Sequence, residues 1–239
     1  MKNAERVGIL GYGEIGQAVG KFYKNPLIKD LKRDDGLKGV DILHVCIPWS
    51  DNFVAIVKKQ IADIQPKLTI IHSTVIPKTT QKIGGMVVHS PVRGVHPNLF
   101  KGIQTFVKYI GADNKKAAAL AKRHFGKLKI TTKIFYPSTT TEMGKLLDTT
   151  YYGVAIAWHK EMKKMCDYFG ADFDQAVTQF NTTYNEGYKK LGKSNVVRPV
   201  LFVDKKPIGG HCVVPNARIL RKYFKSEALE MIEKYAKKD

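Results

Sequence analysis

"RVGILGYGEIGQAVGKFYK", residues 6–24, decides the fold. Its first five residues are a short β-type run, Gly11, Gly13 and Gly16 follow at GxGxxG spacing, and the rest is compatible with a helix. In such a strand-turn-helix unit the first glycine permits the tight turn and the second lets a pyrophosphate approach the backbone. The third lets the helix pack closely on the strand, and the new helix N-terminus offers N–H groups to phosphate. The loop Gly11, Tyr12, Gly13, Glu14, Ile15 and Gly16 is therefore a candidate dinucleotide site. After Pro26, "LIKDL" reads as a second strand, with Asp30 lying 19 residues beyond Gly11. That is about where a Rossmann-type unit places the acid that binds a ribose hydroxyl pair, although a turn aspartate is the competing reading. Lys32 and Arg33 could instead hold a 2′-phosphate, so NAD is expected and NADP stays open.

Further along, "VDILHVCIP" (40–48) and "LTIIHSTVI" (68–76) are apolar, β-branched-rich runs separated by the helical pattern "DNFVAIVKKQIADI". Strands alternating with helices at this spacing indicate a parallel sheet with crossover helices. "MVVHSP" (86–91) and "TFVKYIGA" (105–112) continue the sheet, followed by a helix at 114–128 and one more strand at 130–137. From Thr141 to Phe169 the pattern changes to helix-period apolar residues: Met143, Leu146, Leu147, Val154, Ile156, Met162 and Met165. Such a helix is roughly 40 Å long, suited to spanning two domains and to pairing with a copy of itself. A second helix is expected over 172–192 and a terminal one from about Asn216. The expected architecture is α/β: an N-terminal Rossmann-type doubly wound parallel sheet (1–136), then an all-helical dimerisation and substrate domain (137–239) led by one long helix.

Forty Lys and Arg against twenty-one Asp and Glu give a net charge of +19 over 239 residues. That field attracts anions. The basic residues come mostly as "KK" pairs, such as Lys58-Lys59 and Lys163-Lys164, with no nucleic-acid-binding signature around them. A small anionic substrate is therefore expected, and nucleic acid is not. Three cysteines, Cys46, Cys166 and Cys212, with no CxxC pair, argue against a disulfide framework and a zinc site. The seven histidines show no HExxH-type spacing, so no metal is expected. No run approaches the roughly 18 apolar residues of a membrane helix, and the N-terminus has no targeting pattern. A soluble, cytoplasmic protein without membrane contact is the expectation.

Four separated stretches, "GYGEIG", "HSTVIPKTT" (72–80), "TEMGKLLDTTYYGVAIAWHKEMKKMCDYFGAD" (141–172) and "PIGGHCVVPN" (207–216), together resemble the UDP-glucose/GDP-mannose dehydrogenase family. The resemblance covers that family's NAD-binding and central helical domains, without its C-terminal nucleotide-sugar domain. It implies an NAD-dependent oxidoreductase that takes a primary alcohol through an aldehyde to a carboxylate. By resemblance, Cys212 is the thiolate that captures the aldehyde as a thiohemiacetal, which then becomes a thioester. Lys145 holds the developing oxyanion, and Thr74 helps seat the cofactor. A thiolate attacks a carbonyl readily, and an ammonium in a dry pocket stabilises an oxyanion. Two positions depart from the family pattern: Thr149 stands where Asn is usual and Asn216 where Asp is usual. Both concern the activation of water, so the departure falls on thioester hydrolysis. Asn216 also suits a helix N-cap.

Pro48, at the end of the 40–48 run, and Ser73, beside Thr74, are further candidate cofactor contacts. In "SPVRGVHPNLF" (90–100), Arg93 and His96 follow a strand, where α/β sheets place ligand contacts. Gly209 and Gly210 let the backbone turn tightly beside a substrate, and His211 either orients the substrate or packs in its loop. Cys212 competes with a reading as a small buried residue, the reading kept for Cys46 and Cys166. Asn181, Tyr184 and Asn185, one helical turn apart, read as a polar face rather than a sugar contact. The alternative functions are a two-electron hydroxyacid or keto oxidoreductase of the 6-phosphogluconate dehydrogenase-like superfamily, and a non-catalytic NAD-binding protein.

Overall fold

The computed structural model describes residues 5–204, 206–209 and 212–237, and the chain divides into two compact units between Lys145 and Leu146. The first unit opens with β1 (Val7–Leu10), α1 (Glu14–Gly20), β2 (Leu27–Asp30), β3 (Arg33–Asp34) and β4 (Ile42–Val45). It continues through α2 (Phe53–Ile64), β5 (Leu68–Ile71), α3 (Thr79–Ile83), β6 (Val87–His89) and α4 (Leu99–Thr105) to β7 (Lys108–Ala112), α5 (Lys115–Lys127) and β8 (Thr132–Phe135). The strands form one sheet in the order β3-β2-β1-β4-β5-β6-β7-β8. β1 pairs in parallel with both β2 and β4, so the chain order reverses between β1 and β4, where open α/β sheets place ligands beyond the carboxyl ends of the strands.

Burial follows the period of two. Ile9, Ile42, Ile70 and Val88 join a core with residues of α1 and α5 on one face. Their neighbours Leu10, Leu43, Ile71 and Val87 join Phe53, Val57 and Ile64 of α2 on the other. Helices therefore cover both faces, which is why these strands read as continuous apolar runs. The sheet is mostly parallel, but β3 is antiparallel to β2, and β7 is antiparallel to β6 while parallel to β8. Apolar runs carry no strand direction, so the pattern expected a uniformly parallel sheet. The hairpin at 29–34 and the short helices α3 and α4 were also outside that expectation, and β7 begins three residues later than the run 105–112 suggested.

The helix α6 (Thr139–Phe169) leads from the first unit into the second. The rest of the second unit comprises a π-helical stretch at Asp174–Gln179, α7 (Phe180–Lys190), a 3-10 turn at Ser194–Val196, α8 (Val213–Arg221) and α9 (Glu227–Tyr235). Its core joins Leu146 and Ala157 of α6 to Val214, Ala217 and Leu220 of α8 and Leu229 and Ile232 of α9. The expected terminal helix is thus two helices, the first starting earlier than expected. Asn216 is no N-cap, since Cys212 occupies that position and Asn216 lies in the first turn of α8, 5% exposed. Among the described residues no helix is long and apolar enough to cross a membrane.

Candidate active site

In the first unit the loop after β1 has the geometry its glycines foretold. Gly11 has φ +89°, and a Cβ there would lie 2.8 Å from the backbone N of Ile47, at the neighbouring strand end. Only glycine adopts this turn and approach without strain. A Cβ on Gly16 would lie 2.0 Å from the Gly11 carbonyl oxygen, whereas one on Gly13 would meet nothing within 4 Å. The middle glycine thus faces the open space a pyrophosphate needs, beside the first-turn amides of α1. The residues present fit a dinucleotide. Gly16→Ala is expected to cost about 3 kcal/mol by overpacking and to abolish dinucleotide binding; urea unfolding and calorimetric titration with NAD check both.

Asp30 ends β2, exposed, and its carboxylate accepts hydrogen bonds from the backbone N–H of Tyr12 and, at 2.7 Å, of Leu31. These donors, Tyr12 first, hold its carboxyl below the ordinary carboxylate range. Arg33 donates to both carboxylate oxygens of Asp35, through Nε at 2.9 and 3.0 Å and Nη2 at 2.7 Å. That guanidinium is therefore already matched to a carboxylate. Glu14 pairs with His96 Nδ1 at 2.5 Å, which brings a candidate cofactor residue and a candidate substrate residue together. Ile15 is half-buried on α1, and Pro48 is exposed in the loop after β4.

Ser73 is buried, its hydroxyl donating to the Ile47 carbonyl at 2.6 Å, and Thr74 beside it is half-buried. The following turn is held from α6. The Glu142 carboxylate accepts from the backbone N–H of Lys78 (2.6 Å) and Thr80 (2.8 Å) and from the Thr80 hydroxyl (2.7 Å). Glu142 is fully buried, and burial, opposed by these donors, pushes its carboxyl up. Nothing local to Glu142 in the sequence signals a partner 62 residues away. Lys145, one turn on, is half-buried, and its charge lowers the proton affinity of His89 and Lys108. The Arg93 guanidinium stacks over the rings of Tyr109 (4.8 Å) and Phe106 (5.3 Å), a cation–π seat that holds it in place.

In the second unit Cys212 is partly buried at the N-cap of α8. Gly209 is exposed beside Ile208, which bridges to Ala236; Gly210 and His211 lie outside the described residues. The two positions that depart from the family pattern meet: Asn216 Nδ2 donates to Thr149 Oγ1 at 3.0 Å, and Thr149 donates on to the Leu146 carbonyl at 3.0 Å. The amides of Asn181 and Asn185 hold the 198–199 loop, Asn185 exchanging two 2.8 Å bonds with the Arg198 backbone. Burial pushes the Cys46 thiol up to about 12, so it is inert; Cys166 is buried. Among the described residues no group of three or more His, Cys, Asp or Glu is arranged to hold a metal.

A Rossmann-type sheet with a glycine loop at its order reversal is the fold of nucleotide-dependent dehydrogenases. No family model matches the sequence. The chain is 30% identical over 197 residues to a UDP-N-acetyl-D-mannosamine dehydrogenase of Methanococcus vannielii, an alignment covering 75% of this chain and 39% of that relative. The chain therefore spans well under half the length of this relative. The solved UDP-D-ManNAc dehydrogenase of Pyrococcus horikoshii superposes with a TM-score of 0.76 at 20% identity, over 96% of this chain and 68% of that one. A 3-hydroxyisobutyrate dehydrogenase of Mycobacterium tuberculosis superposes with a TM-score of 0.65 at 12% identity, over 97% and 92%. The chain resembles the nucleotide-sugar dehydrogenases in sequence and shares the dehydrogenase fold.

Proposed function

We propose that this chain is an NAD-dependent oxidoreductase that oxidises a primary alcohol or aldehyde of a sugar-like, anionic substrate, a UDP-N-acetylhexosamine being the class suggested by its relatives. The observation that carries the reading is the 11–16 loop, with Gly13 opening onto free space beside Asp30. In this reading the first unit, with the nucleotide domain ending near residue 136, holds the dinucleotide. Gly11, Gly13 and Gly16 cradle its pyrophosphate, Asp30 takes the ribose hydroxyls, and Pro48, Ser73 and Thr74 face its nicotinamide end. The capture of Arg33 by Asp35 favours NAD over NADP. When bound, NAD would supply the acceptor for the hydride that leaves the substrate carbon.

The chain's own residues do the rest. The Cys212 sulfur adds to the aldehyde carbon, a C–S bond forms, and the carbonyl electron pair moves to oxygen, where the Lys145 ammonium balances it. Arg93 and His96 hold the substrate's anionic group. The Thr149–Asn216 pair is neutral, with no carboxylate to take a proton from water, which favours a slow hydrolytic step and accumulation of the thioester that forms after the second hydride transfer. Asn216→Asp is expected to speed thioester hydrolysis by about tenfold to a hundredfold and to turn a burst of NADH that stalls at the thioester into steady formation of NADH and carboxylate. Stopped-flow absorbance with product analysis reads both.

Exposed Tyr151, Trp158, Tyr168, Phe169 and Phe180 on α6 and α7 support a homodimer, which light scattering tests; a monomer at all concentrations sinks it. The low cysteine count, three residues with no CxxC pair, supports a reducing, cytoplasmic setting. The basic surplus is read as serving a small anion rather than nucleic acid. The direct test mixes the protein with NAD and UDP-N-acetylmannosamine, UDP-glucose or a 3-hydroxyacid. NADH growth with a UDP-sugar supports the reading, growth with the hydroxyacid alone selects the two-electron alternative, and NAD binding without turnover of any of them leaves only a binding protein.

A further inference from the structure

The first unit contains an unbroken row of buried and half-buried titratable side chains that the proposed reaction does not use. It lies on the sheet face covered by α1 and α5. Lys108, the first residue of β7, is buried, and its Nζ donates to the carbonyls of Ser90 (2.7 Å) and Pro91 (2.9 Å) and to His72 Nδ1 (3.2 Å). His72 Nε2 lies 2.8 Å from His44 Nδ1, and His44 Nε2 lies 2.8 Å from the Tyr23 hydroxyl. That hydroxyl lies 2.7 Å from His124 Nε2, and His124 Nδ1 lies 2.9 Å from a Glu5 carboxylate oxygen. His44, His72 and His124 are each 2% exposed or less.

The ends fix the direction of every bond. An ammonium only donates and a carboxylate only accepts, so Lys108 donates to His72, His72 to His44, His44 to Tyr23, Tyr23 to His124, and His124 to Glu5. Each imidazole then carries one proton, on the nitrogen facing Glu5's end of the row. The reversed row is equally complete. If every shared proton moves one step, Lys108 becomes a neutral amine, still donating to Ser90 and Pro91 and accepting from His72, and Glu5 becomes a carboxylic acid donating to His124. Five N–H or O–H bonds break and five form, one proton leaves nitrogen at Lys108 and one arrives on oxygen at Glu5, and no buried atom loses its partner.

We propose that Lys108, His72, His44, Tyr23, His124 and Glu5 form a proton relay through the core of the first unit, carrying a proton between the buried Lys108 amine and the partly exposed Glu5 carboxylate. Because β7 runs opposite to β6, Lys108 sits just beyond the carboxyl end of β6, the side where the sheet presents ligands. Glu5 precedes β1, at the other side. The surroundings suit the exchange. Burial above all, with the charge of Lys145, brings the Lys108 amine down to about 7 against the opposing pull of Cys46. Burial, helped by Lys108, keeps His44 and His72 neutral, the Ser90 backbone and His89 also facing His72. At the far end Lys127 holds the other Glu5 oxygen at 2.6 Å; although burial raises the Glu5 carboxyl, Lys127 and His124 hold it below the ordinary range, so a proton that arrives there is passed on to solvent.

The relay stands on this unit alone, so its test needs neither substrate nor cofactor. The whole chain, with histidine ring nitrogens and lysine side chains isotopically labelled, is titrated through neutral pH by NMR. The expected result is loss of the Lys108 proton near pH 7 with His72, His44 and His124 exchanging tautomer at the same midpoint. Tyr23→Phe, which keeps the ring and removes the linking hydroxyl, is expected to leave His72 and His44 following Lys108 and to stop His124. Lys108→Met is expected to abolish the neutral transition at all three histidines. Histidines that hold one tautomer through the Lys108 midpoint overturn the relay, as does a His124 that tracks Lys108 without the Tyr23 hydroxyl. Should either variant fail to fold, the wild-type titration alone decides.

Discussion

Replacing Cys212 by serine lowers NADH formation by about a thousandfold or more and leaves NAD affinity unchanged. The two halves of this expectation come from separate parts of the chain. NAD affinity is assigned to the 11–16 loop and Asp30, which are complete within the first unit. The reacting sulfur is assigned to the N-cap of α8, within the second. A serine hydroxyl at the same site is a far weaker nucleophile near neutral pH than a thiolate, and it leaves the packing of Val213 and Val214 in place. Calorimetric titration with NAD, beside initial rates by absorbance, separates binding from chemistry. Turnover within tenfold of wild type would sink the covalent role of Cys212 and favour direct two-electron oxidation.

The second large effect is an unusual dependence of stability on pH. Burial depresses His44, His72 and His89, the last to about 3, and brings Lys108 to about 7. In the unfolded chain these groups return to about 6.5 for histidine and about 10.4 for lysine. A base whose folded affinity for protons is depressed leaves the unfolded state holding more protons between the two values, so stability rises with pH there. Lys108 therefore contributes a loss as pH falls from about 10.4 to about 7, and the histidines a further loss below about 6.5. Each contributes a slope of up to about 1.4 kcal/mol per pH unit. Asp30 and Asp41, held low by their donors, add losses of the same sign at lower pH. Urea midpoints for the first unit are expected to climb from about pH 5 to about pH 9, with Lys108→Met flattening the alkaline limb. A midpoint constant across that range would refute this.

The parts of the molecule legible in the sequence are those whose physics is local. Gly11, Gly13, Gly16 and Asp30 could be placed because a turn, an open approach and a strand end are properties of a few adjacent residues. The strands of the first unit could be placed because burial on both faces makes them apolar throughout. What escaped reading depends on distant partners or on direction. His44, His72 and His124 carry no spacing that marks them in the sequence; their meaning comes from Tyr23, Glu5 and Lys108, up to 119 residues away. The clamp from Glu142 to Thr80 and the reversal of β7 escaped for the same reason. Asn216 was misread as a cap because its side-chain chemistry suits one, whereas in the fold its amide is committed to Thr149.

That clamp has a mechanical side. With three bonds from one carboxylate to the 78–80 turn, the first turns of α6 and the segment following Thr74 are riveted into a single part. A shift of the 78–80 turn therefore carries the first turns of this 31-residue helix with it.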